Sequence, residues 1–226
     1  MVKERVVETN EGIQGEPTVE IFDRFAKNMR DKGLNNVNSF IRAGITTGKV
    51  LEIGPGPGYV GLEWLKKAPN GKLTGCEISP DMIALANRNA AEYELTDRAQ
   101  YVQGNCMHMP FKDHTFDAVF SNGSMHEWED PVKAFNEIFR VLKPDGVFCI
   151  IDMRRDVSPV LKWLFSFTAK PKEIRPGYFT SLYASYTVKE LNNLLRQSNL
   201  RDFNVKKDFF GLSVSGKIGS KIQLFH

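Results

Sequence analysis

The stretch from Leu51 to Gly61, Leu-Glu-Ile-Gly-Pro-Gly-Pro-Gly-Tyr-Val-Gly, constrains this chain more than any other, because four glycines and two prolines follow directly on a short apolar run. Glycines in that position supply backbone without Cβ, either for a tight turn or for a ligand held close to the main chain. Two spacings fit. Gly54, Gly56 and Gly58 alternate from the end of the apolar run, whereas Gly56, Gly58 and Gly61 reproduce the G-x-G-x-x-G spacing of dinucleotide-binding turns. A dinucleotide turn puts its first glycine directly after the strand, which is Gly54, and its third glycine then falls on Tyr59. Starting from Gly56 restores the spacing but leaves Pro55 between strand and turn, which is awkward and still possible.

Around this loop the hydropathy alternates between strand and helix periods. Strands are expected at Lys-Val-Leu-Glu-Ile-Gly (49–54), 72–78, 99–105, 116–123 and 146–153, with helices at 58–68, 79–93 and 130–142. Ser79 and Pro80 mark a helix start as N-cap and first helical residue, and Pro144 and Gly146 are read as the stop of the helix that begins at Asp130. Thr187-Val-Lys-Glu190 has the capping-box pattern for a last helix, and the segment 201–218 reads as two strands around Gly211. Repeated β-α-β order with apolar strands predicts an α/β fold, a doubly wound and mostly parallel seven-stranded sheet with a final antiparallel strand pair. Ligands then belong at the carboxyl ends of the strands.

Residues 1–17 read as a flexible polar tail and 18–226 as one domain. Within it, 18–45 holds N-terminal helices, the first with Ile21, Phe22, Phe25 and Met29 on one face. The stretch 153–186 is an insert that mixes aromatic and basic residues. At 226 residues with a formal charge of +3, the chain has no dense basic block of the kind that would mark a nucleic-acid partner. Its first residues lack a signal-peptide core, and no apolar run approaches about 18 residues, so a cytoplasmic protein without an integral membrane segment is expected. Cys76, Cys106 and Cys149 are too widely spaced for a zinc or redox pair.

The acidic residue Glu52, two places before Gly54-x-Gly56-x-Gly58, makes the loop resemble motif I of the class I S-adenosylmethionine (SAM)-dependent methyltransferases, a Rossmann-like fold. The resemblance continues in order. Glu77, 23 residues beyond Gly54, stands where the family's strand-two carboxylate accepts the ribose hydroxyls, with Ile78 beside it. Gly104-Asn105-Cys106 through Pro110-Phe111 is similar to the family's Gly-Asp-Ala-x-x-x-Pro-Phe segment at the adenine, with Asn105 for Asp and Cys106 for Ala. Residues 116–131 and 134–148 resemble the fourth- and fifth-strand blocks of the small-molecule branch that includes the ubiquinone and menaquinone enzymes. The resemblance implies SAM as cofactor, S-adenosylhomocysteine as product, and a donor site of Glu52, Gly54, Gly56, Gly58, Glu77, Ile78, Asn105, Cys106 and Ser121.

A sulfonium cation suits a pocket with carboxylates, and Glu52 and Glu77 are read as its anionic side. Methyl transfer from that cation is an in-line displacement in which positioning supplies much of the catalysis, and a base helps only for weakly acidic acceptors. His126, in Ser-Met-His-Glu-Trp after strand four, is the candidate base; a hydrogen-bonded structural histidine is the alternative. Arg154, Tyr178 and Tyr183 in the insert are candidate substrate contacts. No metal is expected, since Asp152 at the end of strand five has no ligand cluster beside it. A small-molecule acceptor is the leading expectation. Transfer to RNA or protein, and SAM binding without transfer, remain as alternatives, and the oligomeric state is unknown.

Overall fold

The computed structural model describes residues 4–7, 13–209 and 211–219, with the side chains of Phe165 and Thr168 excepted. Two helices, α1 (Glu16–Asp31) and α2 (Val37–Arg42), lead into β-α alternation through β1 (Gly48–Ile53), α3 (Tyr59–Lys67), β2 (Gly71–Glu77), α4 (Pro80–Glu92) and β3 (Ala99–Gln103), which is followed directly by β4 (Phe116–Asn122). After these come α5 (Pro131–Val141), β5 (Leu142–Met153), α6 (Pro159–Thr168), α7 (Arg175–Ala184), α8 (Val188–Gln197), β6 (Phe203–Lys207) and β7 (Gly211–Lys217). The sheet order is β3-β2-β1-β4-β5-β7-β6. Strands β1 to β5 are parallel, and β7 runs antiparallel to both β5 and β6. The doubly wound sheet with a terminal antiparallel pair is therefore as the sequence predicts.

The period-2 alternation of each central strand divides its side chains between two cores. Leu51, Ile53, Val119, Phe148 and Ile150 pack with Phe135 and Ile138 of α5 and Leu191 and Leu195 of α8. Val50, Ala118, Phe120, Cys149 and Ile151 pack on the other face with Phe40 of α2 and Leu62, Trp64 and Leu65 of α3. Trp64 keeps its one polar atom satisfied by donating from Nε1 to the Ile45 carbonyl at 2.8 Å. Each fully buried side chain of this size contributes roughly 1.5–3 kcal/mol, so the two cores fix the plane of the sheet and with it the row of strand ends. Winding reverses between β1 and β4, and the glycine loop leaves β1 at that switch point.

Caps follow the sequence closely. Ser79 accepts from the Met82 N–H at the start of α4, and Thr187 with Glu190 forms the full reciprocal capping box of α8. Two expectations are corrected. Helix α5 ends at Val141, before Pro144, and β5 already begins at Leu142. Lys143 precedes a proline and disfavours helical backbone, while Asp145 at φ 65° forms a bulge that shifts pairing from Phe116↔Leu142 to Ala118↔Val147. The tail is not uniformly loose: Val6 N–H donates to the Tyr183 carbonyl, and Arg5 donates to the Ala184 and His126 carbonyls while stacking over the Tyr186 ring. The predicted apolar face of α1 is half-buried rather than core, and Phe22 reaches the glycine loop at Gly56. Among the described residues no helix is long and apolar enough to cross a membrane.

Candidate functional site at the carboxyl ends of the strands

Gly54, Gly56 and Gly58 all adopt left-handed backbone, at φ 64°, 53° and 82°. This alternation belongs to the first of the two spacings; Gly61 lies inside α3, where a Cβ would sit 2.2 Å from Glu52 Oε2 and 2.3 Å from Leu73 Cδ2. The loop's amide hydrogens are fully engaged. Gly54 donates to the Cys76 carbonyl, Gly56 to Glu77 Oε2 at 3.0 Å and Gly58 to the Pro55 carbonyl, and Pro55 and Pro57 have none to give. A loop that cradles pyrophosphate must aim N–H groups at its ligand. Within residues 54–58 this one offers close approach without a free donor, unlike a dinucleotide turn; the first-turn amides of α3 lie beyond the loop.

Gly54 also lies tight against the turn that follows β4, where a Cβ would meet Ser124 Cβ at 2.6 Å and Oγ at 2.7 Å. Gly54→Ala is expected to lower stability by about 2–3 kcal/mol through left-handed strain and overpacking, read as a lower urea midpoint; an unchanged midpoint would mean that the loop relaxes freely.

The two carboxylates have different tasks. Glu77 Oε1 accepts from the Ile78 and Ser79 amides at 2.9 and 3.0 Å, and Oε2 from Gly56. Burial raises its carboxyl above the ordinary value, with the three amides opposing that rise. Of about four lone-pair positions, one remains for a ligand hydroxyl without rearrangement. Glu52, 1% exposed, is pushed well above the usual carboxylate range by burial and by the neighbouring Glu77, with the Gly61 N–H only partly opposing. Its Oε2 has no hydrogen-bond partner among the described residues, nor has the buried Tyr101 hydroxyl. Glu52 lies beneath the loop, where its carboxylate also meets the Gly61 amide at the start of α3.

Asn105 uses its amide oxygen to cap its own turn, accepting from the Met107 N–H at 2.8 Å, which leaves one oxygen lone pair and the NH2 group for an outside partner. It lines an open cavity of about 560 Å³ with Met107, His108 and the Asp130 end of α5. Cys106 is half-buried against the core, and burial raises its thiol, so it is a packing residue and not a nucleophile. Ser121 is fully buried, donating to the Ile53 carbonyl at 2.9 Å and lying 2.7 Å from Ser124 Oγ; it ties β4 to β1 directly under the loop.

His126 lies in a 3-10 turn (Met125–Glu127) after β4 and is 3% exposed. Asp152, at the end of β5, accepts its backbone N–H at 2.8 Å and faces its Nδ1 at 2.9 Å. This pairing fixes the ring and assigns the proton to Nδ1, which directs the basic lone pair to Nε2. Asp152 is thus the partner that the sequence reading considered only as a metal ligand; parallel β4 and β5 bring their ends together, a juxtaposition the strand pattern already implied. Among the described residues no group of three or more His, Cys, Asp or Glu side chains is arranged to hold a metal.

Arg154 keeps its Nε buried without a hydrogen-bond partner among the described residues, and Tyr178 and Tyr183 share helix α7. Arg154 is paired with Asp156 at 2.8 Å, Tyr178 stacks edge-on with Phe179, and Tyr183 faces the Lys162 ammonium at 5.4 Å. It is Arg155 that is buried, donating to the Ser185 carbonyl and to both oxygens of Glu190. Arg5 and Asp152 are site-bordering residues that spacing alone does not reveal, since each acts across more than twenty residues of chain.

Residues 51–150 match the model of a methyltransferase domain family. The chain is 28% identical over 173 residues to a ubiquinone/menaquinone biosynthesis C-methyltransferase of Cereibacter sphaeroides, covering 73% of this chain and 66% of that protein. It is 34% identical over 112 residues to the erythromycin 3''-O-methyltransferase of Saccharopolyspora erythraea, covering 49% of this chain and 37% of that protein. The matched part therefore spans just under two thirds of the first relative. In fold, the chain superposes on a SAM-dependent methyltransferase from Aquifex aeolicus with a TM-score of 0.70 at 19% identity, over 91% of this chain and 100% of that one. With its strand order, its glycine loop and a match to a methyltransferase-domain model over 51–150, this chain resembles the class I SAM-dependent methyltransferases of the ubiquinone/menaquinone group.

Proposed function

We propose that the chain is a SAM-dependent methyltransferase that acts on a small molecule in the cytoplasm. The observation that carries this reading is the glycine loop whose every amide hydrogen is engaged internally, beside a buried carboxylate that holds one of them. Such a site accommodates a neutral or cationic nucleoside better than a phosphorylated one. Gly54, Gly56 and Gly58 give the donor's main-chain approach, Glu77 and Ile78 its ribose edge, and Asn105 and Cys106 its base edge. When bound, SAM supplies a methyl group already activated by its sulfonium. The small-molecule acceptor is supported by the relatives, whose names specify C-methylation in quinone biosynthesis and O-methylation of erythromycin. Transfer to RNA or protein has no comparable support. The three cysteines are free thiols, which accords with a reducing compartment.

In this reading His126 Nε2 takes a proton from the acceptor, and Asp152 holds the ring in that orientation. Residues 4–7 and α7 cover the turn, so an acceptor reaches Nε2 when that cover moves aside.

Isothermal titration with SAM, S-adenosylhomocysteine and NAD tests the donor site. Micromolar binding of the first two without NAD is expected, and NAD binding alone would overturn the reading. In the same assay Glu77→Ala should weaken SAM by roughly 2–3 kcal/mol, the size of hydrogen bonds to a charged group; unchanged affinity would remove Glu77 from the site.

A further inference from the structure

Helix α6 shows an apolar stripe that the donor site does not use. Val160, Trp163, Leu164 and Phe167 recur at i, i+3, i+4 and i+7, one face of a helix, and are 48–68% exposed. Trp163 and Phe167 pack edge to face at 4.7 Å within the stripe. The surroundings are basic: between residues 159 and 175 stand Lys162, Lys170, Lys172 and Arg175 against the single acid Glu173. Arg175 lies over the Phe167 ring at 5.5 Å, so a guanidinium borders the apolar face directly.

We propose that α6 docks this protein onto an anionic lipid surface, lying in the headgroup plane with Val160, Trp163, Leu164 and Phe167 in the acyl boundary and the exposed Lys170 and Lys172 against lipid phosphates. Charge decides the occupant. Two copies meeting through this face would set like charges against each other, and lysines are depleted at the core of protein interfaces. Interfacial helices instead combine Trp, Phe and Leu on one face with Lys and Arg beside it. At ten residues, about 15 Å, α6 lies along a bilayer and is too short to span one. The proposal is independent of methyl transfer and survives if that reading fails.

Trp64 and Trp128 are buried, so Trp163 is the exposed member of the chain's three tryptophans and its emission reports α6. With vesicles of equal parts phosphatidylcholine and phosphatidylglycerol, the full chain is expected to pellet and its emission to shift to the blue, far less so with phosphatidylcholine alone or at high salt. Lys170→Glu/Lys172→Glu should lower the partition coefficient at least about tenfold, since each basic residue near such a surface contributes on the order of fivefold. Leu164→Ser/Phe167→Ser should abolish pelleting at every salt concentration. All four side chains are exposed or edge-lying, and an unchanged thermal transition verifies the fold. Absence of pelleting with anionic vesicles, pelleting indifferent to both variants, or concentration-dependent dimerisation without vesicle binding would each overturn the proposal.

Discussion

Replacing His126 with alanine is expected to lower turnover by about 10²–10⁴, the usual worth of a positioned base, while SAM affinity stays near that of the parent. The measurement is S-adenosylhomocysteine release with the fastest acceptor found by screening. Asp152→Asn tests the positioning role separately. With the ring held less firmly, turnover should fall while SAM affinity stays near that of the parent. A purely structural Asp152 would shift the thermal midpoint and leave turnover in place. Equal rates for His126→Ala and parent would make the histidine a scaffold for the turn.

The second large effect concerns stability. Arg155, with its side chain 5% exposed, is paired through both donors of its fork with Glu190, which is 39% exposed and also closes the capping box with Thr187. Burial by itself would raise the Glu190 carboxyl, but Arg155 and the Thr187 amide and hydroxyl overcome it and hold it down at about 2. Glu190→Gln leaves the guanidinium buried without its counter-charge and weakens the cap. Removing one partner of a buried pair costs about 3–5 kcal/mol, and the exposure of Glu190 places this case at about 3. Urea unfolding at neutral pH measures it, and a loss under about 1 kcal/mol would show that water replaces the carboxylate. The pH dependence follows in sign. A carboxyl with a depressed folded pKa contributes fully above its unfolded value near 4.3, and the contribution is lost as pH falls toward about 2. The parent should therefore lose stability across that window, and Glu190→Gln should lose less.

Features written in local chemistry were legible in the sequence. Ser79 with Pro80 and Thr187 with Glu190 act within one helical turn, and the structure has both caps as read. The period of the apolar residues separated the strands onto two cores, and the turn around Gly211 became the β6–β7 pair. What failed involved two distant parts of the chain. Spacing placed Glu52 next to the loop but could not show its carboxylate turning under Gly61. Asp152 and His126 are 26 residues apart, and only the parallel pairing of β4 with β5 makes them partners. Arg154 and Arg155 are adjacent and chemically alike, and which of them is buried depends on where Glu190 begins α8. Residue 5 belonged to a stretch whose composition argues for disorder, and it is ordered by carbonyls at positions 126 and 184.

The engaged amides of the Gly54–Gly58 loop bear on how such a site works among competing metabolites. Most nucleoside derivatives in a cell carry phosphate, and a turn with idle N–H groups would be occupied by them most of the time. Here the two prolines and the internal hydrogen bonds of Gly54, Gly56 and Gly58 withhold those donors from a phosphate, so ATP and NAD are expected to compete only weakly with SAM at this loop, which inhibition assays would check. Discrimination of that kind would reside in the backbone of residues 54–58. Introducing a donor by changing Pro57 to a residue with an amide hydrogen would be the smallest step toward making the turn sensitive to nucleotide levels.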